Sequence, residues 1–409
     1  MRPTHRLKRV DTAELAALLT PDGLRLLDEV GPVESTADVA RTVSRLRAAG
    51  HSPDLVSAVV GQARLRVRAR AKFGDFADRL LFTPAGLEQA TRMPVAALHA
   101  GRYRAAGIER VVDLGCGIGG DALAFAGAGL QVLAVDADEV TAALAAYNLS
   151  PFRPDVEVRH GTAESTPLER ADGVWLDPAR RTAGHSETQR VGPQDYSPPL
   201  DWAFGLSASH PLGIKLGPAF DRTAIPADTE AQWVSADGSV VELVVWSGIL
   251  ARPDVRRAAL VLRGGAAHEL TAPDDAEDVE TRTLGAFVHE PDGAVIRARL
   301  IGDVARSLSG GMLADGIAYI TGDEPVTSPF VSTFRVRETL PADPKKLATA
   351  LRERGIGTLE IKKRGVDIDP AKLRTQLKLR GDEAATLIVT RIDGARAAIL
   401  ADRVPALGH

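Results

Sequence analysis

Three acids and a run of glycines hold the residues best placed to do chemistry in this sequence. In VVDLGCGIGGDAL (residues 111–123), an apolar run reaches Asp113 and then turns through Gly115, Gly117 and Gly120, whose spacing satisfies G-x-G-x-x-G. Such a turn, closing a strand and opening a helix, brings the backbone close to a nucleotide-like ligand. Asp113 stands two residues before the first glycine, at the carboxyl end of the strand. A second apolar run, VLAVDA, ends in Asp136, where an acid can accept both hydroxyls of a ribose. A third acid, Asp177, closes GVWL and is followed by Pro178.

The charge at Asp113 discriminates between ligands. It would repel a pyrophosphate in the turn and suits a cation, and S-adenosylmethionine carries both an ammonium and a sulfonium. Asp136 is shared by NAD and S-adenosylmethionine sites and does not choose between them. Thr162 and Ala163, in HGTAES after a third strand, fall where methyltransferases bind the adenine edge, with threonine in place of the usual acid.

Asp177-Pro178 is in register with the (D/N/S)-P-P-(Y/W/R) motif of amino-group and base methyltransferases. There the acid side chain and the proline carbonyl accept an N–H and aim the nitrogen lone pair at the methyl group. Ala179 replaces the second proline, and Arg180 and Arg181 stand where an aromatic would stack, as a phosphate grip or a solvated pair. A second stretch, YSPPL (196–200), matches the motif's letters but follows polar sequence, so it reads as a loop bordering the site, with Tyr196 as a candidate stacking surface.

Other residues are secondary. Asp121 caps the next helix or orders the loop around the methionine end. Cys116 reads as a small packing residue, Lys215 as an edge or snorkelling lysine with reach into the crevice as its alternative, and Glu242 as an exposed-face residue rather than a site residue. His160, His185 and His210 show no ligand spacing, so no metal is expected.

The elements that must position these groups follow from periodicity. Residues 1–105 read as a helical module. Strands and helices then alternate over 106–262, which implies βαβ units on a parallel sheet. Residues 263–330 form a connecting region without a legible fold. Residues 331–409 read as an α+β domain with helices starting at Asp343-Pro344 and Asp369-Pro370 and a closing hairpin across Gly394.

A chain of 409 residues exceeds what one core supports. Its single cysteine excludes an internal disulfide framework and suits a reducing, cytoplasmic setting. No run of 18 uncharged apolar residues occurs, so a membrane span is not expected. Only nine lysines are present, and six fall between Lys345 and Lys378. Lys362, Lys363 and Arg364 form a candidate basic face for a phosphate backbone. Nothing in the sequence fixes an oligomeric state.

Together, VVDLGCGIGGDAL, VLAVDAD, WLDPARR and DYSPPL resemble a class I S-adenosylmethionine-dependent methyltransferase. The wider chain, including LEIKKRGVDIDPAKLRTQLKLRG, is similar to a bacterial group with a C-terminal THUMP-like domain, distantly related to trimethylguanosine synthases and other RNA methyltransferases. The resemblance implies a Rossmann-like α/β sheet between the helical module and the THUMP-like domain. It also implies cofactor contacts from Asp113, Gly115, Gly117, Asp136 and Ala163, with Asp177 and Pro178 in the substrate-orienting position. The expected cofactor set is completed by the neighbouring Cys116, Gly119, Asp121, Ala137 and Thr162, and the expected catalytic set by Arg180. The expected reaction is methylation of a base nitrogen in tRNA or rRNA. The alternatives are a small-molecule or protein methyltransferase, or a non-catalytic RNA-binding protein that retains a cofactor pocket.

Overall fold

A computed structural model describes residues 12–180 and 195–405. Arg181 and His185 lie outside the described residues. The chain divides into two compact units, one running to Lys215 and including Trp246–Leu250, the other holding Leu216–Val245 and everything from Ala251 onward. None of the sequence-derived boundaries at 105, 262 and 330 coincides with this division.

The first unit opens with helices α1 (Thr12–Leu18), α2 (Pro21–Val30), α3 (Thr36–Ala48), α4 (Pro53–Phe73), α5 (Pro84–Gln89) and α6 (Met93–Ala105). Cap chemistry sets their starts. Ser35 and Asp38 close a capping box on α3, while Ser52 and Thr83 each accept a first-turn N–H just ahead of Pro53 and Pro84. Leu15, Leu18, Leu27, Val56 and Val59 pack together as the core of this helical leader.

The sheet of the first unit follows: β1 (Arg110–Leu114), α7 (Gly120–Gly127), β2 (Gln131–Asp136), α8 (Glu139–Asn148), β3 (Val156–His160) and β4 (Gly173–Leu176). A short pair, β5 (Ala179–Arg180) and β6 (Tyr196–Ser197), precedes α9 (Leu200–Gly205) and β7 (Leu212–Leu216). All neighbours in the order β3-β2-β1-β4-β7 are parallel. The order reverses between β1 and β4, so the carboxyl ends of these two strands border the crevice where open α/β sheets bind ligands.

Asn148, at the end of α8, fastens the leader to the glycine turn. Its side chain donates to the carbonyls of Leu81 (3.0 Å) and Ile118 (2.9 Å) and accepts from the Leu81 N–H (2.8 Å), all in a buried setting.

The second unit contains β8 (Glu230–Ala236), β9 (Ser239–Ser247, ending in the first unit), β10 (Arg257–Arg263) and β11 (Ala266–Ala272). Strand β8 runs parallel to β10, and β11 pairs antiparallel with β10. Glu242, expected on an exposed face, is buried within β9.

The region without a legible fold resolves into β12 (Phe287–Pro291), α10 (Gly293–Arg297), α11 (Ile301–Ser307), β13 (Gly311–Ala314) and β14 (Ile317–Gly322). The chain ends with β15 (Val331–Leu340), α12 (Pro344–Glu353), β16 (Ile356–Lys363), α13 (Pro370–Leu377), β17 (Glu383–Ile392) and β18 (Ala395–Arg403). These strands make one seven-stranded sheet in the order β13-β14-β12-β15-β18-β17-β16. Three strands of the C-terminal sheet therefore come from residues before 331. Their short runs and turn-rich spacing hide a pattern that only the pairing completes. Asp343 and Asp369 cap α12 and α13 ahead of Pro344 and Pro370, and both helices pack on the sheet through Leu347, Leu351, Leu373 and Leu377.

Asn148→Ala would strand the Leu81 N–H and two carbonyls in a buried site. We expect it to cost about 2–3 kcal/mol in urea denaturation. A loss below about 0.5 kcal/mol would mean that these groups find other partners.

Candidate active site

The glycine turn is built by close approach. Gly115 has φ +82°, and a Cβ there would sit 2.6 Å from the Asp177 carbonyl oxygen, so the turn after β1 touches the loop after β4. Any side chain would force the two loops apart. Gly117 (φ +56°) and Gly119 (φ +90°) are also left-handed. Backbone N–H groups of Gly115 and Cys116 donate to the Val135 carbonyl at 2.9 and 3.0 Å, tying the turn to β2.

Around this turn lie four carboxylates. Asp136, at the end of β2, accepts from the backbone N–H of Gly117 and Asp138, both at 2.9 Å. Burial raises its carboxyl above the ordinary value, and the two N–H groups oppose that shift. Asp121 does not cap α7. Gly119 occupies the N-cap and lends no side chain, while Asp121 turns inward to accept from Thr91 Oγ1 (2.7 Å) and pair with His99 Nδ1 (2.9 Å). Burial alone would raise Asp121, but His99, Lys215 and Thr91 hold it below the ordinary carboxylate value.

Lys215, on β7, is neither an edge nor a snorkelling residue. Its ammonium lies 2.5 Å from Asp177 Oδ2, donates to Thr91 Oγ1 at 2.9 Å and sits 3.9 Å from Asp121 Oδ2. The groups thus form one chain from His99 through Asp121, Thr91 and Lys215 to Asp177. The ring of His99 also packs 4.5 Å from Trp175, centroid to centroid. Tyr103, one turn along α6, donates to the Val174 carbonyl and accepts from the Gly213 N–H, bracing β4 and β7.

Sequence reasoning missed His99 and Thr91. The available signal was the polar pair His99 and Tyr103 at i,i+4 on a helix face otherwise built from Val95, Ala96 and Ala100. Thr91, in a short connection, carries no pattern of its own.

Asp113 is the exception in this cluster. It is 1% exposed, and among the described residues neither carboxylate oxygen has a hydrogen-bond partner. Burial pushes its carboxyl well above the usual range; Asp121 and Asp177 add repulsion, and Lys215 opposes them. Cys116 beside it is buried, and burial raises its thiol as well, which leaves a packing residue and no nucleophile.

The remaining candidates are placed as follows. Ala137 accepts from or pairs with His160 Nε2 through its carbonyl at 3.2 Å. The Thr162 hydroxyl donates to Ser165, opening a short turn that contains Ala163. Pro178 is buried, and Asp177 keeps about a third of its side chain exposed (33%). Strand β5 carries Arg180, whose backbone pairs with Tyr196 in β6, so the YSPPL stretch is hydrogen-bonded directly to the motif loop. Tyr196 itself is buried at 3% exposure and presents no open ring for stacking.

Lys362, Lys363 and Arg364 lie in the second unit and do not form a free basic face. Lys362 is held 2.6 Å from Glu290 and Arg364 lies 3.7 Å from the same carboxylate, while Lys363 is exposed. Among the described residues, no cluster of His, Cys, Asp and Glu is arranged to hold a metal ion, and no helix is long and apolar enough to cross a membrane.

Comparison with known proteins adds to this geometry. Residues 111–182 match the methyltransferase-domain family, residues 331–403 the THUMP domain-like family, and residues 11–69 a domain of unknown function (DUF8688). An uncharacterized S-adenosylmethionine-dependent methyltransferase of Mycobacterium tuberculosis, found in strains H37Rv and CDC 1551, is 33% identical over 358 residues, covering 85% of this chain and 95% of its own. A solved structure assigned as a methyltransferase, from Porphyromonas gingivalis W83, aligns with a TM-score of 0.70 at 22% identity over 91% of this chain and 100% of its own. At that identity the likeness is one of fold.

The state of Asp113 has a measurable signature. Its folded value lies above the ordinary 3.8, so the folded chain retains a proton that the unfolded chain releases. The stability this provides is full below that ordinary value and is lost as pH rises toward the raised one. Asp113→Asn cannot lose it, so the variant should gain stability relative to the parent at pH 8.5 compared with pH 5. Equal differences at both pH values in chemical denaturation would refute this charge assignment.

Proposed function

Because the chain belongs to the S-adenosylmethionine-dependent methyltransferases, we propose that it methylates a base nitrogen in RNA, with tRNA or rRNA as the acceptor. The observation that carries the reading is the contact between the glycine turn and the Asp177-Pro178 loop at Gly115. It sets the glycine turn and the Asp177-Pro178 loop side by side at the carboxyl ends of neighbouring strands, which supports reading the one as the cofactor turn and the other as the nitrogen-orienting loop.

The residues present fit the cofactor. Asp113 offers two buried carboxylate oxygens without a hydrogen-bond partner among the described residues, the complement that a cationic amino-acid end needs. Asp136 presents a carboxylate at the end of β2 for ribose hydroxyls, and Thr162 and Ala163 border the adenine side. Gly117 keeps open space where a Cβ would project. When bound, S-adenosylmethionine supplies an electrophilic methyl on a sulfonium.

The chain's own residues do the rest. The Asp177 carboxylate and the Pro178 carbonyl accept N–H groups of the acceptor and turn the nitrogen lone pair toward the methyl. Lys215 fixes the orientation of Asp177 through their ion pair. Thr91, Asp121 and His99 fix Lys215 in turn. Arg180 follows on β5, its backbone paired with Tyr196, and its residue type suits an acceptor phosphate. The RNA reading is supported by the THUMP domain-like match at the C-terminus, a module of RNA-modifying enzymes.

Methyl transfer from tritiated S-adenosylmethionine to RNA of cells lacking the gene tests this reading, with nucleosides resolved by mass spectrometry. Asp177→Ala should lower kcat by about a hundredfold or more with little change in cofactor affinity, in the range of lost orienting and proton-handling groups. Lys215→Met should lower kcat by about tenfold, with cofactor binding retained. Label entering protein or small molecules, with none in RNA, would overturn the choice of acceptor.

A further inference from the structure

The second unit contains a half-open cleft of about 580 Å³ that methyl transfer does not use. Asp237, after β8, and Arg263, at the end of β10, line one side. Glu290 of β12, Lys362 of β16, Arg364 just beyond it and Arg403 of β18 line the other. Four cations from two sheets thus face one cavity, together with the hydroxyl-bearing Ser328 and Ser332.

The cations are not equally committed. Lys362 is 2.6 Å from Glu290, and Arg403 donates to both oxygens of Glu360 at 2.9 and 3.0 Å. The two remaining arginines have no hydrogen-bonded carboxylate among the described residues: Arg263 reaches Asp292 at 3.6 Å and Arg364 reaches Glu290 at 3.7 Å, both too long for hydrogen bonds, while Arg263 gives one N–H to the Val331 carbonyl at 3.1 Å. Asp292 already spends an oxygen on the N–H of Ala294 at the start of α10. Arg364 Nε is buried with no hydrogen-bond partner among the described residues, and its guanidinium is steadied over the ring of Tyr319. Two partly shielded guanidinium groups with donors to spare match the oxygens of a phosphate. The carboxylates of Asp237 and Glu290 would repel a second phosphate, so the cleft fits one such group and does not track a polyanion.

We propose that this cleft binds a single phosphate group, supplied by the backbone of the RNA acceptor. The phosphate chemistry rests on the cleft, and the carrier rests on the RNA reading above.

The experiment uses the full chain and a labelled ten-nucleotide single-stranded RNA, with anisotropy measured across a salt series. Inorganic phosphate and AMP serve as competing probes. The variants are Arg263→Gln with Arg364→Gln, Ser332→Glu, which adds charge without removing an ion pair, and exposed Lys345→Gln as control. Cofactor binding by calorimetry in each variant checks folding.

The expected result is at least tenfold weaker RNA binding for the arginine pair and for Ser332→Glu, with less than twofold change for Lys345→Gln. The slope of log affinity against log salt should become shallower by about 0.7 for the arginine pair, one phosphate contact on a single strand. RNA bound and methylated by the cleft variants as by the parent would overturn the cleft and leave the RNA reading standing. Inorganic phosphate or AMP bound only with the cleft intact, with no RNA bound by the parent, would sustain the cleft and overturn its carrier. A parent chain that binds none of the three probes would overturn both.

Discussion

Crowding the buried Asp113 and Asp121 and the partly exposed Asp177 around one turn is the constraint on which the first unit depends. Each carboxylate taken from water is costly unless paired or hydrogen-bonded. The compensation comes from distant parts of the chain: His99 from α6, Thr91 from the connection before it, and Lys215 from β7. A helical leader and the fifth parallel strand must therefore both be in place before the acids can be buried. Even that connection is held from behind, because the Lys72 ammonium donates to the carbonyls of Glu88 and Ala90. Burial there, with Arg92 and Lys215 nearby, brings the amine down to about 8.

The compensation is uneven in a way that matters for methyl transfer. Asp121 and Asp177 share one lysine, so the helix after the glycine turn and the Asp177-Pro178 loop belong to one electrostatic network. Asp113 is left outside it and must be neutral or meet a cation. A ligand with a positive end would relieve that cost, and on the proposed reading cofactor recognition would follow from unfinished pairing within the protein. The contact of Gly115 with the Asp177 carbonyl adds a steric link to the electrostatic one.

The second unit solves a similar problem by completing its pairs. Glu230, fully buried on β8, is met by the forked guanidinium of Arg252, which also grips Glu269 on β11. Asp275 is shared by Arg222 and Arg257. Against these closed networks, Arg263 and Arg364 reach their carboxylates only at 3.6 and 3.7 Å.

Much was legible in the sequence. Alternating apolar runs and helices set out the parallel sheet, Asp-Pro pairs marked two helix starts, and Asp113, Asp136 and Asp177 each fell at the end of a strand. These features are local, written in periodicity, caps and strand-end positions, and the charge at Asp113 pointed to a cationic cofactor before the resemblance was drawn. The seven-stranded sheet was only half legible, because β12, β13 and β14 are short and gain their identity from partners far along the chain. The site was legible in its acids and not in what neutralises them. Lys215 looked like an edge lysine, Glu242 like a surface acid, Asp121 like a cap, and His99 and Thr91 like nothing in particular. The sequence by itself determined which acids would stand at the strand ends. Only the tertiary structure decided which would be paired and which left bare, because pairing in a buried site depends on distances between side chains that lie tens of residues apart.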